Sequence, residues 1–410
     1  MTNPDLQALL DRTGRTPGDI ADVFAELTDR ITAEVEEVEE VEEVEEVEAL
    51  GSEGGSAFPV VEFSDVAADR VRAELEDAVR RRGCVVVRGT FDRELAAHWD
   101  RQVADYLAEN RFEDAYAERY PDDAAGGSRI WGVYWSPAQV AARQHPDMEI
   151  TRRFLNSFWR SRSGGRERFD PDRDIGYPDR LRRRAPGAIA KGLRPHSDAA
   201  SGGGWRIEEN VRVFRHVLAG DVDRFDPWDA THRTAVDHES TAPSSVFRTF
   251  QGWTALSGMH PDDGVLHTIP IPLAAAYMLV KGIAGELGLL GGDPEPAPRR
   301  FGADELLMRA MVPIPAVEPG DTVWWHGDII HSVAAASNDT RWGNVMYIAA
   351  TPGCPRNDAY RASMLERFER GLSPVDFPDE HFEVDFRGRP GVADLNPIGR
   401  AQFGLPALIS

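Results

Sequence analysis

Between about Ile130 and Ala350 the sequence is heavily punctuated. Short β-branched and aromatic runs (Val211–Leu218, Ser245–Leu256, Gly264–Ile271, Asp321–His326 and Trp342–Ala350) are each cut off by Pro, Gly or Asp turns. Such runs suit strands, and many short strands set off by turns close into two facing sheets. The expected fold is mainly β with flanking helices. Helical spacing is visible at Val66–Arg82, at Asp92–Asn110 through Leu95, Trp99, Val103 and Leu107, at Leu273–Leu287 and at Asp358–Arg370. The glycine-bounded run Gly83–Gly89 reads as a buried strand.

Three regions are expected. Residues 1–56 form an N-terminal helical segment with a Glu/Val insert and a Gly/Ser linker, 57–352 the main domain with helical elaborations, and 353–410 a C-terminal extension packed on the core. The insert, Glu34–Glu48, repeats Val-Glu-Glu. A period of three drifts around a helix of 3.6 residues per turn, so the tract reads as solvated low complexity outside the chemistry.

Charge narrows the partners. Against 46 Lys and Arg stand 69 Asp and Glu, a formal charge of −23, and without the ten glutamates of the insert the rest is still acidic. A surface of that sign repels phosphate backbones and anionic membranes, so no nucleic-acid and no membrane partner is expected. Cys84 and Cys354 are too few and too far apart for a disulfide framework or a zinc ribbon. With no signal-like N-terminus and no apolar run long enough to span a bilayer, a cytoplasmic protein acting on a small molecule is the expectation.

Two histidine contexts can carry chemistry. In Arg194-Pro195-His196-Ser197-Asp198 the residues i and i+2 of an extended segment share a side, so the His196 imidazole and the Asp198 carboxylate converge. In Gly320-Asp321-Thr322-Val323-Trp324-Trp325-His326-Gly327-Asp328-Ile329-Ile330-His331 a turn enters an apolar strand, breaks, and reaches a second histidine. Two neutral imidazoles and one carboxylate with open positions beside them make the facial triad of non-haem Fe(II) oxygenases. The expected metal ligands are His196, Asp198 and His331, with His326 as runner-up for the last. Ten residues after His331, Arg341 enters a strand, and its planar fork suits the far carboxylate of 2-oxoglutarate.

Several segments resemble a known family. The runs Gly264-Val265-Leu266-His267-Thr268-Ile269-Pro270 and Gly320–His326, followed by His331 and Arg341, resemble the second half of the Fe(II)/2-oxoglutarate oxygenase double-stranded β-helix. More narrowly, Tyr177-Pro178-Asp179-Arg180-Leu181-Arg182-Arg183-Arg184-Ala185-Pro186-Gly187, Pro195–Asp198, Phe250-Gln251-Gly252-Trp253, Trp325–Val333 and Cys354-Pro355-Arg356-Asn357 resemble the YbiU-like, Gig2-like family of the clavaminate synthase-like superfamily. The resemblance runs over roughly residues 55 to 405 and leaves the Glu-rich insert outside. It implies a jelly-roll, cupin-like core, Fe(II), 2-oxoglutarate as co-substrate, dioxygen, and a dioxygenase that hydroxylates or otherwise oxidises a C–H bond of a small molecule. It implies no particular substrate.

Candidate substrate contacts are Arg182 and Arg184, on one side of an extended segment; Gln251 and Trp253, alternating on one strand; and Trp205 and Arg206, after a triple glycine. His267 reads as a packed core histidine. Two rival readings stand beside the oxygenase: a cupin-like metalloenzyme that does not use 2-oxoglutarate, and a non-enzymatic small-molecule-binding module on the same scaffold.

Overall fold

The structure is a computed structural model that describes residues 4–48, 57–121, 129–190, 192–198, 204–234, 246–291, 304–337 and 340–407. The expected Gly/Ser linker (51–56) and Gly202-Gly203 lie outside the described residues.

Eleven strands build two sheets. They are β1 (Val60–Glu62), β2 (Cys84–Arg88), β3 (Arg129–Trp131), β4 (Leu181–Arg183), β5 (Leu193–His196), β6 (Phe250–Ala255), β7 (Leu266–Ile269), β8 (Val312–Pro313), β9 (Thr322–His326), β10 (Ile330–Val333) and β11 (Val345–Ala350). The larger sheet runs β1-β2-β9-β6-β11-β4-β3 and the smaller β8-β7-β10-β5. All these pairings are antiparallel except β1 with β2.

Strands β2, β6 and β9 are buried along nearly their whole length because both faces of the larger sheet are covered. Side chains alternate between those faces. Val85, Val87 and Trp324 join Trp99, Val103, Met148 and Leu155 of the outer helices. Cys84, Val86, Val323, Trp325 and Trp253 instead meet Leu266, Ile314 and Val317 from the smaller-sheet side. The space between the sheets is where the candidate site lies.

Five helices matter for the argument: α1 (Pro4–Thr13), α2 (Pro17–Glu48), α3 (Arg93–Glu109), α4 (Ala274–Glu286) and α5 (Pro355–Arg370). The α3 helix bears out the spacing read from Leu95 to Leu107, and the Asp92 carboxylate caps it by accepting from the backbone N–H of Glu94 and Leu95. Among the described residues helical ones outnumber strand ones, so the expected β predominance holds only for the centre. Val211–Leu218 is a second correction: it is helical, in Glu208–Val213 and Arg215–Leu218. Its start alternates like a strand, but Val211, Phe214, Val217 and Leu218 recur at helical spacing, and that stripe is what packs against the core.

The Val-Glu-Glu tract is not a solvated insert. It completes α2, with Val35 and Val38 fully buried beside Leu279 and Ile283 of α4. Each three-residue step turns the helix by about 60°, so Val35, Val38 and Val41 stay within a face about 120° wide. The intervening acids have partners. Glu37 accepts from Arg81 and Arg82, each at 2.9 Å, and Glu39 pairs with Arg309.

The C-terminal extension is tied down by a buried carboxylate. Glu383 accepts from the backbone N–H of Tyr134 (2.6 Å) and Trp135 (3.1 Å) and from the Tyr106 hydroxyl (2.9 Å). Burial raises its pKa to about 7, although these donors and Arg143 pull the other way. The folded state therefore binds a proton there that the unfolded chain has released. This group's contribution is fully present below pH 4.5 and is lost as pH rises through about 7, by roughly 3 kcal/mol. Urea midpoints of the wild type and Glu383→Gln between pH 4.5 and 7.5 should converge by that amount; a gap constant with pH contradicts this.

Candidate metal centre

His196 ends β5 and His331 lies on β10. The two are directly opposite in the antiparallel register. Cross-strand partners project from the same face, so their ring centroids lie 4.2 Å apart. Asp198, two residues beyond the strand end, comes back to 3.7 Å between its Oδ1 and His196 Nε2. One donor atom from each of the three lies within 4.8 Å of the others, and among the described residues this is the only such group of His, Cys, Asp or Glu.

The tautomers are set by the backbone. His196 Nδ1 lies 2.9 Å from the carbonyl oxygen of Arg194, and His331 Nδ1 lies 3.1 Å from that of Ile329. A carbonyl only accepts, so each Nδ1 carries the proton and each Nε2 keeps a lone pair for a ligand. Burial, reinforced by the neighbouring His196, pushes the His331 pKa down to about 4 and keeps the ring neutral. Burial by itself raises Asp198, but His331, Arg248, His196 and a hydrogen bond from Gln251 outweigh it and hold the carboxylate ionised. Two neutral nitrogens and one anionic oxygen suit a divalent first-row metal with open positions.

His326 has no such freedom. Five residues before His331 and across the break at Gly327, it points to the helical face of the larger sheet. There it stacks on Trp159 at 4.5 Å. Its Nε2 donates to Pro227 (3.0 Å) and its Nδ1 accepts from the backbone N–H of Asp328 (3.0 Å), so both nitrogens are committed. His267 is half-buried on β7, with Nδ1 3.2 Å from the Val265 carbonyl oxygen.

The three candidate ligand residues border a cavity of about 790 Å³ between the sheets. Gln251 and Trp253 of β6 line it, as their alternation predicts, and so does Arg182 of β4. The other expected contacts lie elsewhere. The buried Arg184 guanidinium donates to the carbonyl oxygens of Asp263 and Gly264. Trp205 is buried in the hydrophobic cluster beneath α2, with Arg206 stacked over its ring at 4.3 Å and paired to Glu286.

Arg341 does not line the cavity. It is 46% exposed and forks onto Asp263, with Nη2–Oδ1 3.0 Å and Nε–Oδ2 3.2 Å. Counting ten residues from His331 misleads because the chain changes sheets there. His331 belongs to the smaller sheet, whereas Arg341 precedes β11 of the larger one, which begins only at Val345. The residue opposite Val345 is Arg182.

Two cavity arginines stand out by their lack of partners. Arg180 is held by Asp179 at 3.3 Å, but Arg182 and Arg248 make no hydrogen bond or ion pair among the described residues. Arg182 is buried, with an Nε that has no acceptor. Arg248 lies over the Tyr177 ring at 5.6 Å and faces Asp198. Sequence reasoning missed Arg248: strand alternation from Gln251 and Trp253 assigns it to the other face, but β6 begins only at Phe250, so the alternation does not reach it.

Behind the site, Arg233 and Asp328 form a buried bidentate pair at 2.9 and 2.6 Å. Arg233→Ala leaves Asp328 buried without a counter-charge and should cost about 3–5 kcal/mol, whereas Arg233→Met with Asp328→Leu should regain most of it. Urea unfolding measures both; equal losses in the single and double variants contradict this.

With this geometry in place, comparison with known proteins supplies the family. Residues 19–289 and 296–405 match the Gig2-like family. The chain belongs to that family. Because the match begins at residue 19, the Val-Glu-Glu tract falls inside it, contrary to the expectation from sequence. The uncharacterised protein YbiU of Escherichia coli K12 is 41% identical over 403 residues, covering 95% of this chain and 93% of that protein. A Salmonella typhimurium LT2 crystal structure, provisionally named an oxidoreductase, is 39% identical with a TM-score of 0.84, covering 98% of this chain and 96% of that one. The GlcNAc-inducible gene 2 protein of Candida albicans shares the fold at 20% identity and a TM-score of 0.70, covering 99% of this chain and 89% of that one. Among the described residues no helix is long and apolar enough to cross a membrane.

Proposed function

We propose that this protein is a non-haem iron, 2-oxoglutarate-dependent dioxygenase that oxidises an unactivated C–H bond of a small molecule. The observation that carries the proposal is the convergence of one donor atom each from His196, Asp198 and His331 at an inter-sheet cavity that also holds an unpaired arginine. The same two sheets, read as a double-stranded β-helix, fit the jelly-roll scaffold of such enzymes. The provisional oxidoreductase name of the Salmonella relative agrees with the class.

The residues present suit the groups this chemistry requires. His196, Asp198 and His331 would hold Fe(II). Arg182, without an anionic partner, replaces Arg341 as the fork for the distal carboxylate of 2-oxoglutarate. Bound Fe(II) with 2-oxoglutarate and dioxygen supplies the oxidising power for a C–H bond and leaves succinate and carbon dioxide. The chain's own contribution is positional. The Arg194 and Ile329 carbonyls fix the imidazole planes, Gln251 orients the Asp198 carboxylate, and Trp253 and Trp325 form an apolar wall that limits water.

A metalloenzyme that does not use 2-oxoglutarate is the second reading, favoured by the engagement of Arg341 elsewhere. Aerobic incubation with Fe(II) and 2-oxoglutarate separates the two. The dioxygenase forms succinate even without a primary substrate, at a low rate that His196→Ala and His331→Ala abolish. Absence of succinate from the wild type, or its undiminished formation by both variants, refutes the proposal.

A further inference from the structure

The wall formed by Asp198, Arg248 and Gln251 is shared. A second cavity, about 550 Å³, opens on its other side and is lined by Val213, Phe214, Val246 and Phe247 together with charged groups. Those charges are already matched: Arg356 pairs with Glu209 through two 2.6 Å contacts, and Arg233 pairs with Asp328. Arg248 is the exception, bordering both cavities with no hydrogen bond or ion pair among the described residues.

A guanidinium cannot shed its proton to escape burial, so a desolvated one needs an anion nearby. In the metal-free protein Tyr177, Asp198, Asp179 and Asp376 all act on it; Asp179 is already held by Arg180, and Asp376 accepts from the Tyr177 and Tyr360 hydroxyls, which leaves Asp198 as the carboxylate without a cationic partner of its own. A dication on Asp198 reverses the balance. Metal and Asp198 together then carry one positive charge, Arg182 and Arg248 add two, and dianionic 2-oxoglutarate at Arg182 offsets two. One positive charge remains among these groups, and it sits at Arg248, facing the second cavity and its apolar side formed by Val213, Phe214, Val246 and Phe247.

We propose that Arg248 anchors the carboxylate of the primary substrate, a small monoanionic acid whose apolar body occupies the second cavity against Phe214 and Phe247. The proposal rests on the dioxygenase reading for the charge carried by metal and co-substrate. It assigns the two unpaired arginines different duties: Arg182 holds the co-substrate, and Arg248 holds the substrate with its body beside Asp198, the one candidate ligand residue that borders both cavities. A bidentate guanidinium–carboxylate pair gives such a substrate a fixed orientation.

The test uses full-length protein loaded with Zn(II) in place of Fe(II), which prevents turnover, and saturated with 2-oxoglutarate. Calorimetry then compares phenylacetate with its neutral isostere phenylacetamide. Phenylacetate should bind at least tenfold more tightly than the amide, Arg248→Gln should abolish that preference, and Arg248→Lys should retain most of it and report an intact fold. Arg182→Gln should weaken 2-oxoglutarate and leave phenylacetate within about twofold. Failure of the wild type to prefer phenylacetate, unchanged binding by Arg248→Gln, or an equal loss in Arg182→Gln overturns the assignment. If 2-oxoglutarate does not bind while phenylacetate still depends on Arg248, the anion site stands and the co-substrate reading falls.

Discussion

Replacing His331 by alanine is expected to lower the affinity for Fe(II), or for Co(II) as a stable probe, by at least 100-fold in equilibrium dialysis, with little loss of stability. The reason is geometric. His331 and His196 face each other across one antiparallel pair, each with Nδ1 tied to a main-chain carbonyl, and removal of either leaves a bidentate site. His326→Ala is the contrasting control. Its ring is fully buried, stacked on Trp159 and hydrogen-bonded through both nitrogens, so its loss should cost roughly 2–4 kcal/mol of stability and leave metal affinity within about threefold. The reverse pattern, in which His326→Ala loses metal and His331→Ala only stability, contradicts the assignment.

Arg182→Gln is expected to raise the KM for 2-oxoglutarate by about 100-fold, the scale of a lost charge-assisted pair in a desolvated cavity. Arg341→Gln should leave it within about twofold, since that guanidinium is exposed and already engaged by Asp263. Steady-state succinate formation at varied 2-oxoglutarate measures both. A large effect at Arg341 with none at Arg182 restores the assignment that counting along the sequence favours.

The candidate ligand set was legible because its signal is local. His-x-Asp at the end of a short strand depends only on two-residue alternation, and the tryptophan-rich run before His331 announces a buried strand and a break. The arginines were less legible because their positions depend on which sheet the chain enters. Nothing between His331 and Trp342 reveals that the next strand joins the opposite sheet, or that its first residue pairs with Arg182. Arg248 was hidden because β6 begins only at Phe250, two residues beyond it, rather than at Ser245 as the run of residues suggested. The Val-Glu-Glu tract misled for a related reason: its drift around the helix matters over five repeats but not over three. Its glutamates find arginines contributed by distant segments. Long-range pairing of this kind leaves no mark in a window of the sequence.

The most direct measurement is an anaerobic titration of the Fe(II)-loaded protein with 2-oxoglutarate, followed in the visible. Chelation at a site of two imidazoles and one carboxylate produces a weak charge-transfer band that saturates at one equivalent, and the band should be absent from His196→Ala and His331→Ala. A wild-type protein that takes up Fe(II) but develops no band at any concentration of 2-oxoglutarate contradicts the account.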